Sequence, residues 1–308
     1  MVARLRFLKV VINIALPGGT ARQDRPETGL HLCRQIGFAV AVANRTWFYA
    51  ERRRPAVCQT TAGRLTITGN LDHKDMNSGV DIYWFGDRRA AQAVIYVHGF
   101  AVNYTSKGMF TDLADHLSDQ DLASILFDLS DFDRERNAAF LPLSDQQRRL
   151  REVYGTVKAE VDRVSLIAHS LGCGVAATLL PELELDKVLL LAPAGDRHGP
   201  RIKDRLFKHH GAWTDEDGLM RFKRKNGTIT SFSKRYVDEF DIEFSRVYRD
   251  NLSQVKDLKI CLAESDELTP AMEKVFAKYD TVCLPGSDHN FTGESRQRLL
   301  ELAAEFLN

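Results

Sequence analysis

Short apolar runs alternate with segments of helical periodicity from residue 64 onward. Near-continuous apolar runs predict buried strands at residues 93–97, 122–127, 164–168, 187–191, 259–263 and 281–284. Alternating apolar and polar positions predict two further strands at residues 64–69 and 80–85. Apolar residues three and four apart predict helices at residues 110–117, 143–159, 175–180 and 299–307. Strands that alternate with helices need crossover connections, so the pattern predicts an α/β fold with a mostly parallel central sheet flanked by helices.

One interval, residues 195–255, interrupts this alternation because it contains no buried strand. A connection of this length is usually functional or forms a small subdomain of its own. Asn226-Gly227 lies between two alternating segments and predicts a hairpin. Aromatic residues at helical spacing follow, from Tyr236 to Tyr248. We therefore predict a cap inserted at about residues 195–255.

The first 62 residues differ in composition from the rest, because arginine is frequent and the only carboxylates are Asp24, Glu27 and Glu51. We predict an Arg-rich N-terminal extension over residues 1–62, poorly ordered or packed outside the core, followed by the main domain at residues 63–308. An arm for an anionic partner is the alternative. Residues 1–16 faintly resemble a signal peptide, but Asn13 interrupts the apolar part and no A-x-A site follows.

Composition narrows the class of protein. The 308 residues carry 42 basic and 42 acidic side chains, so the formal net charge of zero gives no general argument for binding nucleic acid or membranes. The five cysteines are scattered, without a metal-ligand pair such as C-x-x-C, which favours reduced thiols in a cytoplasmic protein. No apolar run reaches 18 residues, so no transmembrane segment is expected. The oligomeric state is not indicated.

Ser170 lies where an apolar run ends in a turn of small residues and a helical pattern begins. The turn reads Ala168-His169-Ser170-Leu171-Gly172, close to the G-x-S-x-G pattern that lifts a serine above the edge of a sheet. Ala168 replaces the first glycine and Gly172 matches the second. A serine that merely caps a helix is the plain alternative.

A nucleophilic serine needs a base and a third group that orients the base. Carboxylates follow the predicted strand 259–263, at Glu264, Asp266 and Glu267, and His289 follows the last strand. The order serine, acid, histidine is the order expected of an α/β-hydrolase. Asp288 is adjacent to His289, so its carboxylate has difficulty reaching the correct ring nitrogen.

From about residue 64 to residue 308 the chain resembles an α/β-hydrolase-fold serine hydrolase. Four motifs carry the resemblance, each at the end of a predicted strand: His98-Gly99-Phe100, the Ser170 turn, residues 263–270 and Asp288-His289-Asn290-Phe291. The resemblance implies that Ser170 is the nucleophile, His289 the general base and Asp266 the orienting acid, four residues before Pro270.

The resemblance also implies an oxyanion hole made by the backbone N–H groups of Phe100 and Leu171. His98 and His169 lie in motifs where the family commonly has histidine, and a structural role is expected for both. The implied reaction needs neither a metal nor an organic cofactor. Its partner is a small-molecule acyl ester.

We therefore predict a carboxylesterase-like hydrolase that works through an acyl-enzyme and loosely resembles small bacterial esterases of the cinnamoyl or feruloyl type. After Asp128 the chain lacks the glycine-rich turn of many relatives, so their substrates do not transfer. Thioesterase, amidase, lipase, acyltransferase and carbon–carbon bond hydrolase activities remain alternatives on the same residues. A non-catalytic receptor or scaffold is an alternative of another class. Basic residues in the predicted cap suggest either a solvated face or an anionic substrate.

Overall fold

The computed structural model describes residues 80–118, 120–268 and 272–308, together with the backbone of three earlier strands. The chain divides into two compact units, residues 1–71 and residues 72–308. In the first unit, β1 (Val57–Thr61) and β2 (Arg64–Thr68) pair antiparallel as a hairpin. The domain boundary predicted at residues 62 and 63 lies between these two strands. The predictions for the signal-like segment and the Arg-rich arm fall outside the described residues.

The second unit contains the remaining strands and the helices. Its strands are β3 (His73–Asp75), β4 (Ile82–Phe85), β5 (Gln92–Val97), β6 (Leu122–Phe127), β7 (Asp131–Phe132), β8 (Ala138–Phe140), β9 (Arg163–His169), β10 (Lys187–Leu191), β11 (Trp213–Thr214), β12 (Met220–Lys223), β13 (Ile229–Phe232), β14 (Asp257–Ala263) and β15 (Thr281–Leu284). Its α-helices are α1 (Met109–Leu117), α2 (Leu143–Lys158), α3 (Leu171–Leu179), α4 (His198–His209), α5 (Lys234–Glu239), α6 (Phe244–Asn251), α7 (Glu273–Phe276) and α8 (Glu294–Leu307).

An eight-stranded sheet forms the centre of this unit, in the order β15-β14-β10-β9-β5-β6-β4-β3. The strands from β15 to β6 are parallel to their neighbours, whereas β4 and β3 pair antiparallel at one end. The predicted α/β class with a mostly parallel sheet is confirmed. The near-continuous apolar runs are the strands that helices cover on both faces.

Side chains of β5 show how the sheet divides the core. Ile95 and Val97 point into a cluster that includes Leu150 and Val153 of α2. Tyr96 points to the opposite face, into a cluster formed with residues of α1 and α8. The two faces follow from the alternation of successive side chains along a strand.

A second sheet of five short strands has the order β11-β12-β13-β8-β7. The predicted hairpin is present as β12 and β13, and Gly227 adopts a positive φ of 87° in the turn between them. β13 also pairs in parallel with β8, which lies in the segment after β6. This five-stranded sheet is therefore built from two distant parts of the chain, residues 131–140 and residues 213–232. β7, β8 and β11 are too short for the apolar pattern to predict.

The direction of chain connections reverses at β5, because β6 lies on one side of it and β9 on the other. In open parallel sheets, ligands bind beyond the carboxyl ends of the strands at such a switch point. The loop after β5 and the turn after β9 both lie there. Among the described residues, none of the helices combines the length and hydropathy that a membrane span requires.

Candidate active site

Ser170 occupies a sharp turn between β9 and α3. Its backbone angles, φ 54° and ψ −122°, lie in a region that L-residues rarely adopt. The turn is held by neighbouring strands: the N–H of Ser170 donates to the carbonyl of Leu191 at 2.9 Å, and its own carbonyl accepts from Ala194 N at 3.1 Å. The strain is therefore balanced by backbone hydrogen bonds.

Two glycines allow the chain to approach this turn. A Cβ at Gly172 would lie 2.2 Å from the carbonyl oxygen of Val97, so no side chain fits there. A Cβ at Gly99 would lie 2.8 Å from the Cβ of Ser170. Ala168, which replaces the first glycine of the usual pattern, is fully buried in the core. Within the Ser170 motif, the turn therefore depends on glycine at position 172 and not at position 168.

The structure brings Ser170, His289 and Asp266 together in one hydrogen-bonded chain. His289 Nε2 lies 2.9 Å from Ser170 Oγ, and His289 Nδ1 lies 2.7 Å from Asp266 Oδ2. Because a carboxylate only accepts, Nδ1 carries the proton and Nε2 presents its lone pair to the serine hydroxyl. The side chains of His289 and Asp266 are 10% and 6% exposed, so this chain is largely shielded from water.

The other nearby carboxylates have different partners. Glu264 Oε2 accepts from the N–H of Gly286 at 2.8 Å. Asp288 accepts from the N–H and the hydroxyl of Thr292, at 2.8 and 2.9 Å. Glu267 is exposed. Of the acids that the sequence left open, Asp266 is the one hydrogen-bonded to His289. The N–H of Leu268 donates to the second oxygen of Asp266 at 2.8 Å.

His98 and His169 are buried and hold the backbone. Leu129 N donates to His98 Nε2 at 2.9 Å, so His98 Nδ1 carries the proton and donates to Gly99 O. His169 Nε2 donates to the carbonyl of His289 at 2.8 Å. Burial lowers the pKa of His98 to about 4 and that of His169 to about 3, so both rings are neutral at pH 7.

Phe100 and Leu171, whose backbone N–H groups are the predicted oxyanion hole, belong to two different elements near Ser170. Leu171 is the first residue of α3, where an N–H has no acceptor within the helix. Phe100 follows Gly99 in the loop after β5, and no hydrogen bond from its N–H to another described residue is present. The role of these two amides as an oxyanion hole stays a prediction.

A cavity of about 150 Å³ opens above Ser170 and His289. The lining residues come from the loop after β5, the Ser170 turn, the segment after β10, α4 and the loops around the imidazole: Gly99, Phe100, Val102, Lys107, His169, Ser170, Ala194, Gly195, His198, Arg201, Ile202, Arg205, Leu268, His289 and Asn290. This volume is close to that of an engineered protein cavity that holds benzene. The size suits a small acyl or aryl group.

Sequence reasoning did not single out Lys107 or His198 as residues of this site. Lys107 follows β5 in a 3-10 turn, Ser106–Gly108, for which no apolar pattern exists. His198 belongs to α4, where positions 198, 201, 202 and 205 share one helical face. The spacing of these four positions indicates that they share a helical face. Only the tertiary structure shows that this face lines the cavity above Ser170.

The aromatic residues of the cap have two different environments. Phe222 and Phe232 are buried in the core, next to Phe100. Phe207 and Trp213 are 38% and 40% exposed and do not line the cavity. Phe222 and Phe232 are therefore part of the core. Cys173 and Cys261 are buried free thiols, as expected, and Cys283 is exposed.

Within the described ranges, no group of three His, Cys, Asp or Glu residues is arranged to hold a metal ion.

The fold and the position of this site identify the class of protein. The model of the alpha/beta hydrolase family matches residues 94–302. The chain belongs to this family, as the resemblance in its motifs predicted. The matched range contains the Ser170 turn, Asp266 and His289. No curated protein matches the chain.

Solved structures share the fold at low sequence identity. Est1E from Butyrivibrio proteoclasticus is 15% identical, with a TM-score of 0.55, covering 78% of this chain and 98% of that chain. A structure from the work on LipS and LipT, two metagenome-derived lipolytic enzymes, is 14% identical, with a TM-score of 0.55, covering 73% and 96%. The esterase domain of a Rhodothermus marinus protein is 15% identical, with a TM-score of 0.53, covering 76% and 95%. At this identity the likeness concerns the fold alone.

Proposed function

We propose that this α/β hydrolase cleaves a carboxylic ester of a small molecule through an acyl-enzyme. The observation that carries the proposal is the hydrogen-bonded chain Asp266–His289–Ser170, with distances of 2.7 and 2.9 Å, at the floor of a cavity. A serine hydroxyl is a weak nucleophile at neutral pH and becomes effective when a base removes its proton. This arrangement supplies that base and its orienting group.

In the first half-reaction, Ser170 Oγ attacks the ester carbonyl while its proton passes to His289 Nε2. The carboxylate of Asp266 keeps the ring in the productive tautomer and stabilises the imidazolium that forms. The carbonyl oxygen becomes an oxyanion, which accepts from the N–H groups of Phe100 and Leu171. The positive end of the α3 dipole points at the same oxygen.

The tetrahedral intermediate collapses when the C–O bond to the alcohol breaks. His289 gives its proton to the departing alkoxide, and an acyl group remains on Ser170. A water molecule then loses a proton to His289 and attacks the acyl carbonyl. The second intermediate releases the carboxylic acid and restores the Ser170 hydroxyl. No step requires a metal or an organic cofactor.

The cavity of about 150 Å³ supports a small acyl or aryl group rather than a long chain. Est1E, which shares the fold, has been solved with ferulic acid bound. An aryl ester is therefore a sensible first substrate. The same residues can also cleave thioesters, amides, lipids or carbon–carbon bonds, or transfer an acyl group. These activities differ in the group that leaves the acyl carbon or in the acceptor that takes up the acyl group.

A fluorophosphonate probe tests the nucleophile. We expect stoichiometric labelling at Ser170 and none in Ser170→Ala. Ser130→Ala is a matched control, because Ser130 is also buried after a strand and its Oγ has no hydrogen-bond partner among the described residues. Labelling that persists in Ser170→Ala would assign the nucleophile to another serine, and no labelling of folded wild-type protein would favour the receptor or scaffold.

A panel of p-nitrophenyl esters, other aryl esters, thioesters and amides tests the bond that is cleaved. We expect the highest kcat/KM for esters with short acyl groups. His289→Ala should lose most of this turnover while the protein stays folded by circular dichroism. Unchanged turnover in that variant would contradict the role of His289. Faster cleavage of thioesters or amides would replace the ester assignment and keep the nucleophile.

A further inference from the structure

We propose that the substrate carries an anionic group, a carboxylate or a phosphate, which Arg201, Arg205 and Lys107 bind at the cavity above Ser170. This inference rests on the proposed function and names the substrate class of the same site. The residues that support it form the walls of the cavity and are separate from the hydrogen-bonded residues Ser170, His289 and Asp266.

One wall is a single face of α4. His198, Arg201, Ile202 and Arg205 all line the cavity, at the spacing of three, four and seven residues that places side chains on one face of a helix. Ile202 packs against the core and fixes this face. Arg201 and Arg205 are exposed, and Arg201 Nη1 lies 3.4 Å from the backbone carbonyl of Asp196. Both arginines therefore line the cavity and are exposed to solvent, where a ligand can reach them.

Lys107 lines the cavity from a different element, the 3-10 turn between β5 and α1. Its exposed side chain belongs to the segment that also supplies Gly99 and Phe100. Burial is the main cause of the low pKa values of His169 and His198, and the charge of Lys107 lowers the first while that of Arg201 lowers the second. The two cations thus act on the same imidazole-lined space from two sides.

Among the residues that the structure describes, no carboxylate lines this cavity, although the whole chain has equal numbers of acidic and basic side chains. Asp196, next to the lining residue Gly195, accepts from the N–H and hydroxyl of Ser245 at 2.6 and 2.9 Å. Asp241 is paired with Arg197 at 2.8 Å. These two acids are therefore engaged elsewhere, and Asp204 of α4 is not among the residues that line the cavity.

The three cavity cations contrast with other arginines of the protein. Arg88, Arg151 and Arg235 each form ion pairs with carboxylates. Within the part of the chain that the structure describes, Lys107, Arg201 and Arg205 have no carboxylate within 4.0 Å. A guanidinium presents paired donors that match the oxygens of a carboxylate or a phosphate. The cavity is thus complementary to an anion next to the scissile ester.

Matched pairs of esters test the proposal and locate the anion. Mono-p-nitrophenyl adipate against p-nitrophenyl hexanoate places a carboxylate on the acyl group. 4-Acetoxybenzoate against methyl 4-acetoxybenzoate places it on the leaving group, and 4-acetoxyphenyl phosphate replaces it by a phosphate. We expect the anionic member of at least one pair to have a kcat/KM about tenfold higher. In the double variant Arg201→Gln/Arg205→Gln, the ratio of the two kcat/KM values should fall by about tenfold, to near one. The expected change is no larger because exposed charges interact modestly.

The control is Lys203→Gln/Lys208→Gln, which removes two exposed charges from α4 at positions that do not line the cavity. This control should keep the ratio of the two kcat/KM values. Arg201→Glu should invert the ratio. Added salt should lower the ratio in the wild-type protein and in the lysine control, and should change it less in the arginine double variant. An equal ratio in the wild-type protein and the arginine double variant would overturn the anionic substrate while leaving the esterase intact.

A binding measurement separates this inference from the proposed function. Calorimetry with phenyl phosphate, benzoate and benzyl alcohol on Ser170→Ala needs no turnover. We expect the two anions to bind tighter than the neutral alcohol, and the difference to disappear when Arg201 and Arg205 are glutamine. Equal binding of all three compounds contradicts the anion site. Absence of ester cleavage and of Ser170 labelling contradicts the proposed function instead.

Discussion

His169 Nε2 donates a hydrogen bond to the backbone carbonyl of His289 at 2.8 Å, so the residue before Ser170 holds the loop that carries the imidazole. The other ring nitrogen, Nδ1, accepts from Ser106 Oγ at 3.4 Å. The ring centroids of His169 and His289 lie 4.9 Å apart. The serine turn and the histidine loop are therefore linked by a contact that involves neither the serine hydroxyl nor the reacting nitrogen.

His169→Ala should lower kcat on a p-nitrophenyl ester by about tenfold or more, because a misplaced general base slows proton transfer. His169→Gln keeps a side-chain N–H donor and should restore part of the loss. KM should change less than kcat in both variants. Unfolding in urea monitors stability separately. If glutamine gives no rescue at equal stability, the hydrogen bond to His289 does not position the base.

Asp266→Asn should lower kcat by about 10³- to 10⁴-fold, because an amide at this position favours the wrong tautomer of His289. Glu264→Gln is the matched control: Glu264 is near in sequence and accepts from Gly286 N, a bond that an amide oxygen retains. Steady-state kinetics on one ester compare the two variants. A large loss in Glu264→Gln with a small loss in Asp266→Asn would transfer the orienting role to Glu264.

Asp128→Asn should stabilise the protein above pH 7. Burial raises the pKa of Asp128 to about 7 from an ordinary value of 3.8, so between these pH values the unfolded chain releases a proton that the folded protein still holds, and stability falls as the pH rises. The Asn side chain does not titrate, and its oxygen still accepts from Tyr104 N, as Asp128 does at 2.6 Å. The gain should be on the order of 2 kcal/mol, moderated because the carboxylate is 19% exposed.

Urea unfolding of both proteins at pH 5 and pH 8.5 measures this gain. The difference between variant and wild type should be partial at pH 5, about one pH unit above the ordinary pKa, and should reach its full size at pH 8.5. A difference that does not depend on pH would mean that Asp128 ionises at its ordinary pKa in the folded protein.

Two glycine-to-alanine changes should have opposite effects on stability. Gly172→Ala should cost about 3 kcal/mol, because its Cβ would lie 2.2 Å from Val97 O. Gly155 is exposed within α2, and a Cβ there meets nothing within 4 Å. Gly155→Ala should raise the free energy of unfolding by about 0.5–1 kcal/mol through helix propensity. Equal effects in urea unfolding would contradict the close approach at Gly172.

The parallel strands of the large sheet could be predicted from the chain because each is a near-continuous apolar run, whereas β3 has only three residues and was not predicted. The buried strands β5 and β9 read as near-continuous apolar runs, and the motif residues at their ends follow directly. β7 and β11 have two residues each, too few for a period to appear. Their pairing depends on partners that are distant along the chain.

The sequence by itself determined the order of Ser170, an acid and His289, and showed that each follows a strand. These features could be predicted because periodicity and turn preference depend on residues that are neighbours along the chain. It left Glu264, Asp266 and Glu267 open as the acid. Only the tertiary structure brought Asp266 to the imidazole and one face of α4 to the cavity. The reason is physical: hydrogen bonds across more than 20 residues, and the packing of a helix against a loop, depend on chain topology and not on local spacing.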